Sequence, residues 1–120
     1  MRILVVEDDD SSLQLAKRVA EHMGHTVLTA NDGVQGLALA GAEKPDLLLL
    51  DLRMPGIPGL QVVREIRSDP RLQALPIIAV SANTGSDDRA DALAAGCDDF
   101  VGKPYEPEDL RAAIRRRLPT

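Results

Sequence analysis

The sequence predicts an α/β fold: a three-layer α/β/α sandwich, with a five-stranded parallel sheet in the order 2-1-3-4-5 and five helices. Three observations predict it. Leu47-Leu48-Leu49-Leu50 is an apolar run with no polar alternation, the mark of a strand buried on both faces of a parallel sheet. Short runs of strand formers alternate five times with stretches of helical spacing, which implies right-handed crossovers covering both faces. No tandem repeat or linker interrupts this pattern, so residues 1–120 read as one domain.

Ile3 to Val6 is the first strand, ending in Glu7-Asp8-Asp9-Asp10. Ser11 or Ser12 can cap a helix carrying Leu13, Ala16, Ala20 and Met23, and Gly24 ends it. Thr26 to Thr29 is the second strand. Asn31-Asp32 offers a cap for a helix with Val34, Leu37, Ala38 and Gly41 on one face, closed by Pro45. The leucine strand then runs to Asp51, before a loop rich in proline and glycine, Met54-Pro55-Gly56-Ile57-Pro58-Gly59. Leu60, Val63 and Ile66 or Arg67 mark a third helix, with Pro70 beyond its end. Ile77 to Val80 is the fourth strand, left at Ser81. Ser86 with Asp87 and Asp88 opens a fourth helix bearing Ala90, Leu93 and Ala94, which Gly96 terminates. Phe100-Val101 is a short fifth strand leading to Lys103-Pro104. Pro107 suits the first turn of a last helix with Leu110, Ala113 and Ile114. Five such strands favour the flavodoxin-like order, whose switch point lies between strands 1 and 3.

Composition narrows the function. The net charge is −5, which argues against nucleic acid as a direct partner, because phosphate contacts need basic surface. Arg115-Arg116-Arg117 sits where it would complement a helix dipole. Cys97 is the only cysteine, so no internal disulfide is expected. No signal-like segment or bilayer-length apolar run is present; the expectation is a cytoplasmic protein without membrane insertion.

The predicted sheet gathers Glu7, Asp8 and Asp51 at one end of adjacent strands, with Ser81 and Lys103 from strands 4 and 5. Alone, Asp51 could simply begin a turn. Together, three carboxylates need relief: two unit charges 4 Å apart cost roughly 4 kcal/mol at an effective dielectric near 20. Carboxylate oxygens suit Mg²⁺, and Lys103 supplies a fixed positive charge. A carboxylate nucleophile, a divalent metal, an ammonium and a hydroxyl suit phosphoryl transfer onto aspartate.

With these residues in order, the chain resembles the receiver domains of two-component response regulators (CheY-like). The resemblance rests on Glu7-Asp8, on Asp51 with Met54-Pro55 and Gly59, on Ser81-Ala82, and on Lys103-Pro104. It implies that Asp51 accepts a phosphoryl group from a histidine kinase or histidine phosphotransfer protein. It further implies that Asp8, Asp51 and the main-chain carbonyl of Arg53 bind Mg²⁺, while Glu7 holds metal-bound water. Lys103 would pair with Asp51 and then with a phosphoryl oxygen. Ser81 would move toward the phosphoryl group and Phe100 would turn inward, altering the helix 4–strand 5–helix 5 face for a downstream protein target. Arg53 and Asn83 match positions that tune dephosphorylation; Arg53 would either contact the phosphoryl group or shield it. A cis peptide is implied before Pro104. Such a chain catalyses its own aspartyl phosphorylation and dephosphorylation without being a conventional turnover enzyme.

Other readings attach to several residues. Asp9 and Asp10 suit a helix N-terminus. Phe100 could be a plain core aromatic. His22 and His25 read as surface or strand-edge residues, and Cys97 as packing. Pro58 departs from the acidic residue often found before Gly59 and cannot cap helix 3 by side chain. A haloacid-dehalogenase-like phosphatase would need an acid at position 53, where Arg53 stands. A flavodoxin would need a hydroxyl-rich phosphate loop after strand 1, where Glu7 to Asp10 would repel phosphate. The remaining alternative is a receiver fold used as a phosphorylation-independent docking or dimerisation module. As given, the chain carries no effector domain after helix 5, and output is expected through protein contacts, a phosphorylation-dependent dimer among them, as in a stand-alone regulator or a phosphorelay intermediate; a receiver trimmed from a longer regulator reads the same.

Overall fold

The computed structural model describes residues 1–82 and 86–118. Strands β1 (Arg2–Val6), β2 (Thr26–Ala30), β3 (Leu47–Asp51), β4 (Ile77–Ser81) and β5 (Asp99–Gly102) alternate with helices α1 (Asp10–His22), α2 (Gly33–Glu43), α3 (Gly59–Ser68), α4 (Ser86–Ala95) and α5 (Pro107–Arg117). The sheet is parallel throughout, in the order β2-β1-β3-β4-β5. This is the predicted flavodoxin-like arrangement.

The leucine run explains the layers. Successive residues of a strand face opposite ways, so Leu48 and Leu50 enter one core and Leu47 and Leu49 the other. The first core is closed by Ala40 of α2, Val62 and Ile66 of α3, and Ala92 of α4. The second is closed by Ala16 and Ala20 of α1 with Leu110 and Ile114 of α5. None of the four leucines is more than 2% exposed, and each such burial contributes about 1.5–3 kcal/mol.

Three local expectations are corrected. The N-cap of α1 is Asp9, whose carboxylate accepts the Ser12 amide at 2.9 Å; neither serine takes that role. In α2 the buried residues are Gly33, Gly36 and Ala40, while Val34 is 62% exposed, so the helix is rotated from the expected face. In α4 the expected face of Ala90, Leu93 and Ala94 looks outward, with Leu93 47% exposed, and Ala92 packs inward instead. The caps expected from Ser86 and Asp87 fall on side chains outside the described set. Pro58 stands at the N-cap of α3 without a side-chain bond, as its chemistry requires.

Behind α3 and α4, Arg67 fastens two turns. Its Nε and Nη2 donate to the Gly96 carbonyl at 2.9 and 2.7 Å, and Nη1 donates to the carbonyls of Gln73 and Leu75 at 3.0 and 2.6 Å. Nη2 also meets Asp98 Oδ2 at 3.0 Å, an oxygen that accepts the Ile77 amide at 2.8 Å. Gly96 adopts φ +118°, and a Cβ there would lie 2.9 Å from Arg67 Cγ, so both conformation and space call for glycine.

Cys97 follows it in the core, 6% exposed. Burial pushes its thiol up to about 12, the nearby Arg67 pulling the other way. Only the thiolate reacts, so iodoacetamide at pH 8 is expected to leave folded protein unmodified and to label it fully in denaturant. Mass spectrometry reads the outcome; rapid labelling of folded protein would contradict the packing.

Candidate functional site

The sheet delivers the acidic residues as its topology dictates. Leaving β1, Glu7 anchors its amide on the Ala30 carbonyl at 3.0 Å. Asp51 is the last residue of β3, aligned with Val80 of β4, while Ser81 aligns with Gly102 of β5. The amide of Lys103 donates to the Ser81 carbonyl at 2.8 Å, which carries the lysine to the same edge. Glu7, Asp51 and Ser81 are buried, at 5%, 6% and 0% exposure, whereas Asp8 is exposed. Each of Glu7, Asp8 and Asp51 offers a carboxylate oxygen within 4.8 Å of the others.

Asp51 is oriented from two sides. Its Oδ1 accepts the Arg53 amide at 2.9 Å and its Oδ2 faces Lys103 Nζ at 3.3 Å. Lys103 also pairs closely with Glu7. Burial, and next the neighbouring Asp51, push the Glu7 carboxyl up to about 7 against the opposing pull of Lys103. Burial acts to lower the Lys103 ammonium, but its contacts with Glu7 and Asp51 prevail and raise it. The pocket therefore carries more negative charge than one lysine neutralises.

That imbalance, with a donor set made only of carboxylate oxygens, fits a hard divalent cation. Asp8 provides the solvent-facing oxygen of the set, Glu7 and Asp51 the buried ones.

The side chains of Ser81 and Arg53 converge on Asp88. Ser81 Oγ donates to Asp88 Oδ2 at 2.9 Å. The Arg53 guanidinium bonds the same carboxylate, Nη2 to Oδ1 at 2.7 Å and Nε to Oδ2 at 3.3 Å. Asp88 was legible in the sequence only as a helix-opening residue; its distance along the chain from Arg53 hid the pairing. Phe100 is 5% exposed within the core, with the Arg89 guanidinium 5.2 Å from its ring centroid. The Lys103–Pro104 peptide is cis. Asn83 lies outside the described residues.

Comparison with known proteins adds a consistent result. A family model described as the response regulator receiver domain matches residues 3–115. "Response regulator MprA" of Mycobacterium leprae is 40% identical over 118 residues, covering 98% of this chain and 51% of that protein. The chain thus spans about half the length of this relative. Among solved structures, the chemotaxis response regulator CheY4 of Vibrio cholerae superposes with a TM-score of 0.91 at 28% identity, covering 98% of each chain. The receiver domain of the sensor histidine kinase PA1611 of Pseudomonas aeruginosa, with a magnesium ion coordinated in its active-site cleft, gives a TM-score of 0.91 at 31% identity. That match covers 99% of this chain and 98% of that one.

Proposed function

The chain belongs to the response regulator receiver domain family, and from that premise we propose that it is a signalling switch thrown by phosphorylation of Asp51. The observation that carries the reading is the placement of Asp51: buried, held through Oδ1 by the Arg53 amide, and facing the Lys103 ammonium through Oδ2. A carboxylate so held attacks phosphorus as an anion and needs no general base. One Asp51 oxygen forms the new bond to phosphorus. The bond from phosphorus to the donor, a phosphohistidine nitrogen of a histidine kinase or phosphotransfer protein, breaks with its electron pair on the donor.

Asp8, Asp51 and the Arg53 carbonyl are the proposed Mg²⁺ ligands, with Glu7 acting through water. Bound there, the ion would neutralise charge on the phosphoryl oxygens. Lys103 remains beside Asp51 to meet one of those oxygens, and Ser81 lies one strand away to donate to another. The added charge, roughly −1.5 to −2 near neutral pH, then acts on Ser81 and on the cover of Phe100. Ser81 moves toward the phosphoryl group and Phe100 turns inward behind it. The altered α4–β5–α5 face would meet the downstream partner.

Intact mass after incubation with acetyl phosphate and Mg²⁺ tests the reading. One phosphoryl adduct is expected on wild type, absent without Mg²⁺ and absent from Asp51→Asn. If wild type takes up neither the phosphoryl group nor its mimic fluoroberyllate, the reading falls and a phosphorylation-independent docking module takes its place.

A further inference from the structure

Asp88 is engaged by two groups that flank Asp51 in the chain and in the sheet. Ser81 ends β4 beside β3, and Arg53 follows Asp51 by two residues; Asp88 sits in the first turn of α4 and holds both. Its side chain is only 12% exposed, whereas Arg53 is 56% exposed, so the carboxylate is fixed and the guanidinium reaches to it. The next residue, Arg89, lies over Phe100.

The chemistry of the two donors makes this arrangement exclusive. A serine hydroxyl has one proton to donate; while it serves Asp88 it cannot serve a phosphoryl oxygen. A guanidinium bound bidentately to one carboxylate gives up that geometry when it turns to a second anion. A phosphoryl group on Asp51 would be a stronger anion than Asp88 and would compete for the same two donors.

We propose that Asp88 is the latch of the unphosphorylated state, holding Ser81 and Arg53 on the first turn of α4 until the phosphoryl group draws them away. This rests on the phosphorylation reading and deepens it: the energy that sets the resting state lies in a carboxylate outside the acidic pocket. Withdrawal of both donors loosens the turn that carries Arg89 over Phe100. The site and the α4 face are thereby coupled through two consecutive residues. Asp88 is a positioning residue, acting through Ser81 and Arg53; in the described contacts it touches none of the carboxylates of Glu7, Asp8 and Asp51.

The test is fluoroberyllate binding in the presence of Mg²⁺, followed by fluorine NMR, for wild type, Asp88→Asn and Asp88→Ala. Without the latch, Ser81 and Arg53 no longer have to be detached, so both variants are expected to bind about tenfold more tightly. In a Ser81→Ala background the effect of Asp88→Ala should shrink to about threefold, because the Ser81 contact is already gone. A merely structural role predicts the opposite sign, weaker binding in both backgrounds together with a lower urea midpoint. Wild-type binding with unchanged or weaker binding by both variants would overturn the latch alone. No binding by any of these proteins would overturn the phosphorylation reading and the latch together.

Discussion

Arg67→Met is expected to lower stability by about 3 kcal/mol, a large share of the 5–15 kcal/mol typical of a domain. The methionine fills much of the same space but donates nothing. Three main-chain carbonyls, of Gln73, Leu75 and Gly96, lose their donor together, and Asp98 loses its ion pair. Water can reach some of these groups, since Arg67 is 22% exposed along its side chain, which limits the loss. Lysine should recover less than half of it, because a point charge cannot serve carbonyls on two separate turns as a planar fork does. Urea unfolding is the measurement, with an unchanged m value; a midpoint within error of wild type would show that the network is dispensable.

The second large effect is expected from Lys103→Met, and it depends on pH. Glu7 ionises near 7 in the folded protein against 4.5 ordinarily. The native state therefore holds a proton that the unfolded chain releases between these values, and stability falls as pH rises through that window. Lys103, raised from its ordinary 10.5, is charged throughout this window, so how much its pairing with Glu7 contributes is set by the ionisation of Glu7. Near pH 5 Glu7 is protonated in the native protein and loses little when the ammonium is removed. At pH 8 the substitution leaves two buried carboxylates facing each other, and the cost should reach about 3 kcal/mol. Mg²⁺ should narrow the gap, since a divalent cation restores the missing positive charge. Thermal unfolding of both proteins at pH 5 and pH 8, with and without Mg²⁺, checks this. A pH-independent difference would mean that Lys103 acts through its packing and not through its charge.

The parts of the molecule that were legible from residues are those where chemistry and periodicity agree. Leu47 to Leu50 announced the central strand because nothing polar interrupts it, and Asp51 closes that strand as expected. Leu110, Ala113 and Ile114 predicted the buried face of α5 correctly. The faces of α2 and α4 were not legible, because alanine and glycine contribute almost no hydropathy contrast. In α2 the deciding contact is steric: a Cβ on Gly36 would meet Val6 Cγ2 at 2.8 Å, so the helix turns its smallest residues toward β1. In the site, the acidic residues and Lys103 could be placed from the ends of strands. Asp88 could not, since a carboxylate in a first helical turn looks like any other cap, and its bonds to Arg53 and Ser81 arise only when α4 is laid across the sheet.

The grip of Arg67 on Gly96 has a mechanical consequence. Gly96 lies immediately beyond α4, so its carbonyl, bonded twice to a guanidinium based on α3, acts as a fulcrum for the whole helix. With 10 residues, α4 is a lever arm about 15 Å long. Lifting its first turn by about 2 Å while that end stays pinned is a tilt of about 8°, with no sliding along the sheet. Displacement then grows along the helix with distance from Gly96: Leu93, one turn from the pivot, moves least of the three, while Asp88 and Arg89, near the far end, sweep a much wider arc.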